Sequence, residues 1–183
     1  MGLAGVIFGA GAAINVPGAF HVSTADYVKF ANGDKFHVDP GRASTRSSAA
    51  PAAFGFLGGT SAPVIVKDGA ILVAQPSQPI SMVAGDIEIN NGGVLTPEGD
   101  IRVVALGKAA QEIGFAGTLT AASGKLNILS GGSISSPATG AIDGGVIAIS
   151  AGNIAIVNGG AIHADTFSSG ARSPASVSSP RRR

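Results

Sequence analysis

Asp86 and Glu88 lie two residues apart, and so do Asp100 and Arg102. Residues at i and i+2 share one face of a strand. Two such pairs on neighbouring strands would line a groove with carboxylates and a cation. That is the equipment of a polysaccharide lyase or hydrolase, where one acid moves a proton and a second group holds developing charge. The simpler reading makes them the solvated face opposite Ile87, Ile89, Ile101 and Val103, because half-exposed strands alternate in this way. His21, His37 and His163 are scattered and show no metal-ligand spacing. No Gly-x-Ser-x-Gly elbow occurs. Gly9-Ala10-Gly11 follows a strand-like run, but Ile14 stands where a dinucleotide loop needs its third glycine. Gly140-Ala141-Ile142-Asp143-Gly144-Gly145 lacks the spacing of calcium-binding nonapeptides. No catalytic residue, metal or cofactor is therefore expected.

Composition narrows the partners. The net charge is +1, too small to draw nucleic acid or an anionic membrane. Aromatic residues are 5% of the chain, with one Tyr and no Trp, which is little for a carbohydrate-stacking platform or a nucleic-acid surface. Cysteine is absent, so neither disulfides nor thiolate metal sites can form. Apolar residues reach 45% while charged ones stop at 13%, against roughly 25% in ordinary domains. The 28 glycines argue against helices, since each costs about 1 kcal/mol relative to alanine inside one. Short strands and tight turns suit this mixture.

An internal repeat supplies the architecture. Ile87-Glu88-Ile89-Asn90-Asn91-Gly92-Gly93-Val94-Leu95 is one copy, Leu126-Asn127-Ile128-Leu129-Ser130-Gly131-Gly132-Ser133-Ile134 a second, and Ile154-Ala155-Ile156-Val157-Asn158-Gly159-Gly160-Ala161-Ile162 a third. Apolar residues two apart face one side of a strand, and the glycine pair frees the backbone for a corner. One copy cannot bury its own apolar row, but stacked copies can. The offsets, 39 and then 28 residues, are too uneven for propeller blades and suit a β-helix with loops at its corners. The three glycine pairs should occupy equivalent corners, with Ile87, Ile89, Ile128, Ile156 and Ile162 pointing inward. Further strands are predicted at 5–8, 20–23, 27–30, 80–83, 101–104 and 146–149. Residues 39–53 read as an exposed excursion. Residues 105–113 form the only helix-like stretch and should make a surface loop or a single turn. The Ser/Pro/Arg tail, 166–183, is expected to be disordered.

At Gly5-Val6-Ile7-Phe8-Gly9-Ala10-Gly11-Ala12-Ala13-Ile14-Asn15-Val16 the chain resembles the secretion region of filamentous-haemagglutinin-type exoproteins. Gly18-Ala19-Phe20-His21-Val22-Ser23-Thr24-Ala25-Asp26, Lys29-Phe30-Ala31-Asn32-Gly33, Phe54-Gly55-Phe56-Leu57-Gly58-Gly59 and Gly85-Asp86-Ile87-Glu88-Ile89 continue the likeness in order. The resemblance implies an all-β, right-handed parallel β-helix with loop excursions over residues 1–165, a partial two-partner secretion and haemagglutination activity domain. It implies a non-enzymatic segment of a bacterial adhesin, secreted or held at the cell surface. An outer-membrane transporter is the implied partner, with Gly5, Val6, Ile7, Phe8, Gly9 and Asn15 in the recognised motif. Receptors on host or neighbouring cells are implied as well. The Asn-Pro-Asn run that precedes Gly5 in the family is replaced by Gly2-Leu3-Ala4, and no signal peptide is visible. The chain therefore reads as truncated at its N-terminus, with both solenoid ends uncapped. The rival expectations are a carbohydrate-active β-helix enzyme built on Asp86, Glu88, Asp100 and Arg102, and a non-functional gene remnant.

Overall fold

The computed structural model describes residues 5–59, 62–115, 122–139 and 144–164, with a further strand at 176–178. The described residues contain no helix. The first coil is β1 (Val6–Phe8), β2 (Ala13–Val16) and β3 (Phe20–Ser23). An excursion follows through β4 (Tyr27–Phe30), β5 (Lys35–His37) and β6 (Pro51–Phe56). The second coil is β7 (Val64–Lys67), β8 (Ile71–Ala74) and β9 (Ile80–Ala84). The third is β10 (Ile87–Asn90), β11 (Gly93–Leu95) and β12 (Ile101–Ala105), after which β13 (Gln111–Gly114) leaves the solenoid. The fourth is β14 (Lys125–Leu129), β15 (Ser133–Ser135) and β16 (Ile147–Ala151). The fifth is β17 (Asn153–Ile156), β18 (Ala161–His163) and β19 (Ser176–Ser178).

Corresponding strands stack into three five-stranded sheets, ordered β1-β7-β10-β14-β17, β2-β8-β11-β15-β18 and β3-β9-β12-β16-β19. Every pairing within them is parallel, so the chain is the expected parallel β-helix. Like residues stand over like. Val6, Val64, Ile87, Leu126 and Ile154 form one rung series, and Ile14, Leu72, Val94, Ile134 and Ile162 another. Phe20, Ile80, Ile101 and Ile147 form the third. Their members in the middle three coils are 0–1% exposed. Burying each such side chain contributes about 1.5–3 kcal/mol.

The glycine pairs lie at one corner, between the first and second sheets, but their alignment differs from the expected one. Gly93 pairs with Ser133, and Ser133 with Ala161. Gly92, Gly132 and Gly160 are therefore the stacked set. A Cβ on Gly132 would stand 2.4 Å from the Ile89 carbonyl oxygen, and one on Gly160 2.3 Å from that of Ile128. The slip comes from the turn. Ser130-Gly131 and Asn158-Gly159 each place two residues at positive φ, whereas in the third coil Asn91 alone turns. That coil is one residue shorter at the corner, so Val94 enters the core and Leu95 faces out. Ile87, Ile89 and Ile128 are buried and Ile162 packs against the core, as expected. Ile156 is 43% exposed, although it is in register with buried Ile128. It lies in the last strand of the first sheet, where no described strand covers it.

The outer face of the third sheet is apolar at Val83 and Val104, beside the outward His21, Ser81 and Arg102. Val83 and Val104 point away from the solenoid core and are nonetheless 1% and 0% exposed. They are covered by an antiparallel sheet, β13-β6-β4-β5, through Phe54, Phe56, Leu106 and Ile113. Two expectations are corrected here. The exposed excursion ends before Ala53, because β6 turns Ala53 and Phe54 inward at 7% and 8% exposure. The stretch 105–113 makes the expected turn only over residues 106–110. It ends β12, reverses at Gly107 (φ 68°) and begins β13. Burial of Ile113 beside Phe54 outweighs the helix preference of Lys108-Ala109-Ala110-Gln111-Glu112. The expected tail lies outside the described residues except for β19, which pairs with β16.

The corner stack yields a paired test. Gly132→Ala should lower the denaturant midpoint by an amount equivalent to about 2 kcal/mol, because a backbone carbonyl cannot step aside. Gly131→Asn should cost markedly less: Gly131 has open space around it, and Asn tolerates its φ of 81°. Equal losses in the two variants would refute the close-approach account.

Candidate functional site

The motif residues divide between core and surface. Val6 and Phe8 pack against the solenoid core, and the Phe8 ring meets Phe20 edge-on at 6.4 Å. Ile7 points the other way and is 60% exposed, in register with Ile65 on the outer face of the first sheet. Gly5 has no room for a side chain, since a Cβ would stand 2.5 Å from the Pro63 carbonyl oxygen. The same carbonyl accepts the Val6 N–H at 3.0 Å. Gly9 opens the first corner, where its carbonyl accepts the Ala12 N–H at 2.9 Å. Asn15 lies beyond that corner on β2, and its Oδ1 accepts the Gln75 Nε2–H at 3.1 Å. Folding thus gathers Gly5 to Gly9 on one edge strand and puts Asn15 on the adjoining sheet.

The four charged candidates do not converge. Asp86 and Glu88 belong to the first sheet, Asp100 and Arg102 to the third. Each aspartate stands just before a strand and accepts a backbone N–H from the next coil: Asp86 from Lys125 at 2.7 Å, Asp100 from Val146 at 2.8 Å. Glu88 accepts from Asn90 Nδ2 at 3.4 Å, and the Arg102 guanidinium donates to the Gly114 carbonyl. The groove of the rival enzyme reading is therefore not formed by these four residues. His21, His37 and His163 lie on three different sheets. Among the described residues, no cluster of His, Cys, Asp or Glu could hold a metal ion. Of the glycine-rich candidate near Asp143, residues 140–143 lie outside the described residues.

Two features escaped the sequence reading. The first is a charged cluster on the antiparallel sheet. Glu112 accepts from Tyr27 Oη–H and from Lys29 Nζ–H, both at 2.7 Å, while Lys35 Nζ lies 3.6 Å from its carboxylate. The Tyr27 ring covers Gly55, where any Cβ would clash at 2.0 Å. Lys29, and then Tyr27, hold the Glu112 carboxyl down at about 2 from an ordinary 4.5. Burial, then Glu112, pushes the Tyr27 phenol up. The second is a cleft of about 410 Å³ on the outer face of the third sheet, bordered by His21, Ser81, Asp100, Arg102 and Phe115. His21, Ser81 and Arg102 are in register across β3, β9 and β12. Their separation of 81 positions along the chain left no local signal.

Glu112 gives a pH test. Its carboxyl is depressed in the folded state, so its stabilisation is full above about pH 4.5 and is lost as pH falls toward 2. Glu112→Gln should cost about 1 kcal/mol at neutral pH, allowing for solvent screening of a group one-third exposed. The gap between wild type and variant in chemical unfolding should close as the pH is lowered through that window. A gap that stays constant would sink the assignment.

A family model described as the TPS secretion domain, the two-partner secretion module, matches residues 3–163. No curated protein and no solved structure matches the chain. That match spans all five strands of the first sheet and the antiparallel sheet set against the third. With the in-register solenoid, it establishes that this chain belongs to the TPS secretion domain family.

Proposed function

We propose that the chain is a non-enzymatic segment of a bacterial adhesin, and that its outer-membrane transporter reads the strand from Gly5 to Gly9 together with Asn15. The observation that carries this reading is Ile7. It is the most exposed large apolar residue described, on a strand whose other apolar side chains face the core. Exposed apolar side chains at a sheet edge mark contact surfaces. Ile65 lies beside it in register and extends the surface along the first sheet. Gly5 supports the surface by letting β1 lie close against Pro63. The non-enzymatic part of the reading rests on Asp86, Asp100 and Arg102, each of which spends a bond on holding backbone of another segment. The adhesive part rests on the family resemblance and on outward sheet faces that can vary without disturbing the core. Host or neighbouring-cell receptors are the partners it implies.

The test joins the chain to a periplasmic leader and co-expresses it with its transporter. Ile7→Asp should reduce export at least about tenfold, the loss of one well-buried apolar contact. Its denaturant midpoint should stay near that of wild type, because Ile7 adds little to the core. Normal export of Ile7→Asp would overturn the motif assignment. The adhesive role is tested separately, by binding of the exported chain to host or neighbouring cells.

A further inference from the structure

The cleft on the third sheet holds a cation, Arg102, with no counter-ion among the described residues. The Arg102 guanidinium bonds the Gly114 carbonyl, and its Nε is buried without a hydrogen-bond partner. Among the described residues it makes no ion pair. A partly buried guanidinium without a counter-charge is costly, and a carboxylate brought to it relieves that cost. The surrounding groups are of a second kind. Asp100 uses one oxygen on the Val146 N–H and stands at the rim. Ser81 contributes a hydroxyl one strand away, between His21 and Arg102. His21 is kept toward its neutral form by burial and so offers one donor and one acceptor. Phe115 lies against His21 at 4.9 Å and, with Pro79, supplies an apolar wall. A cation, several hydroxyl-matching groups and an apolar wall in about 410 Å³ make a small-molecule site.

We propose that this cleft binds a hexuronate, a sugar ring carrying a carboxylate. Arg102 takes the carboxylate. Asp100, Ser81 and His21 meet the ring hydroxyls, and Phe115 meets the apolar face of the ring. A neutral sugar would leave the guanidinium unmatched. A simple carboxylate such as acetate would leave Asp100, Ser81 and His21 unmatched. The site lies on a different sheet from Ile7, so its failure and that of the transporter reading are separable.

Histidine-selective NMR on the full chain reads the site, because His21, His37 and His163 are the only histidines. His21→Asn identifies the His21 signal. Millimolar sodium glucuronate should move that signal saturably and leave the other two in place. Glucose and sodium acetate at equal concentration should not. Arg102→Gln should weaken the response at least about tenfold, the scale of one charge-assisted hydrogen bond. No movement of His21, equal movement with glucose or acetate, or an undiminished response in Arg102→Gln would overturn the proposal. Should Arg102→Gln not fold, Ser81→Ala replaces it with an expected loss of about threefold, the scale of one neutral hydrogen bond, and an undiminished response there overturns the proposal; the comparison of glucuronate with glucose on the wild type still decides.

Discussion

Strands of each coil find their ladder hydrogen bonds in the coils before and after. A parallel stack that slipped by one residue would turn an inward row outward, so register is the constraint on which the other features depend. Glycine is required where a corner passes over a carbonyl of the previous coil, as Gly132 does over Ile89 and Gly160 over Ile128. The corner between the second and third sheets shows the same demand in another form. Thr96 and Ser136 are fully buried there and donate their hydroxyls to the carbonyls of Gln78 and Gly99, at 2.6 and 2.8 Å. Ser136 Oγ also accepts the Gly145 N–H at 3.0 Å. Each hydroxyl serves a backbone group that leaves the ladder as the chain turns. Asp86 and Asp100 do so with carboxylates, reaching the N–H of Lys125 at the start of β14 and of Val146 just before β16.

The antiparallel sheet adds a constraint of a different range. Its strands come from two excursions, residues 27–56 and 111–114, with two coils between them. Glu112 must find Tyr27 across 85 positions, and Ile113 must reach Phe54. Such contacts close loops far longer than those of the solenoid ladder, because two coils lie between their partners. The outer face of the third sheet is apolar at Val83 and Val104, where the antiparallel sheet packs against it. Ile80-Ser81-Met82-Val83-Ala84 and Ile101-Arg102-Val103-Val104-Ala105 lack the clean alternation of β10 and β14 for that reason.

The solenoid was legible because its signal is local and repeated. Ile87-Glu88-Ile89 and Leu126-Asn127-Ile128 alternate within three residues, and the glycines follow within a few more. The exact corner was not legible, because Asn91 and the pair Ser130-Gly131 turn the chain with different numbers of left-handed residues, and spacing alone does not distinguish them. The antiparallel sheet was missed for the opposite reason. Tyr27–Phe30 alternates like a coil strand, and Lys108-Ala109-Ala110-Gln111-Glu112 carries helix formers. Only partners far along the chain decide their fate. Of the charged residues, Asp86 and Asp100 are exposed as expected, whereas Glu88 is half-buried and Arg102 is drawn onto Gly114 with its Nε buried. Their separation onto two sheets depended on a corner the sequence marks only by Gly99 and Pro97, and the cleft that joins His21 to Arg102 required the register of three coils.

The same register bears on how the motif strand can be read. In the folded chain Val6 and Phe8 lie under β1, and the Phe8 ring is fixed against Phe20. A partner meeting the finished solenoid finds Ile7, the backbone edge of β1 and, past one corner, the Asn15–Gln75 bond. A partner meeting the extended chain finds Val6, Ile7 and Phe8 alike. Gly5 bears on both encounters: it leaves the extended segment pliable, and it lets β1 settle against Pro63 once β7 has formed beside it. Coil formation therefore converts a run of three apolar side chains into a single exposed one. An exported chain that folds behind its transporter would withdraw Val6 and Phe8 from contact as the first two coils close.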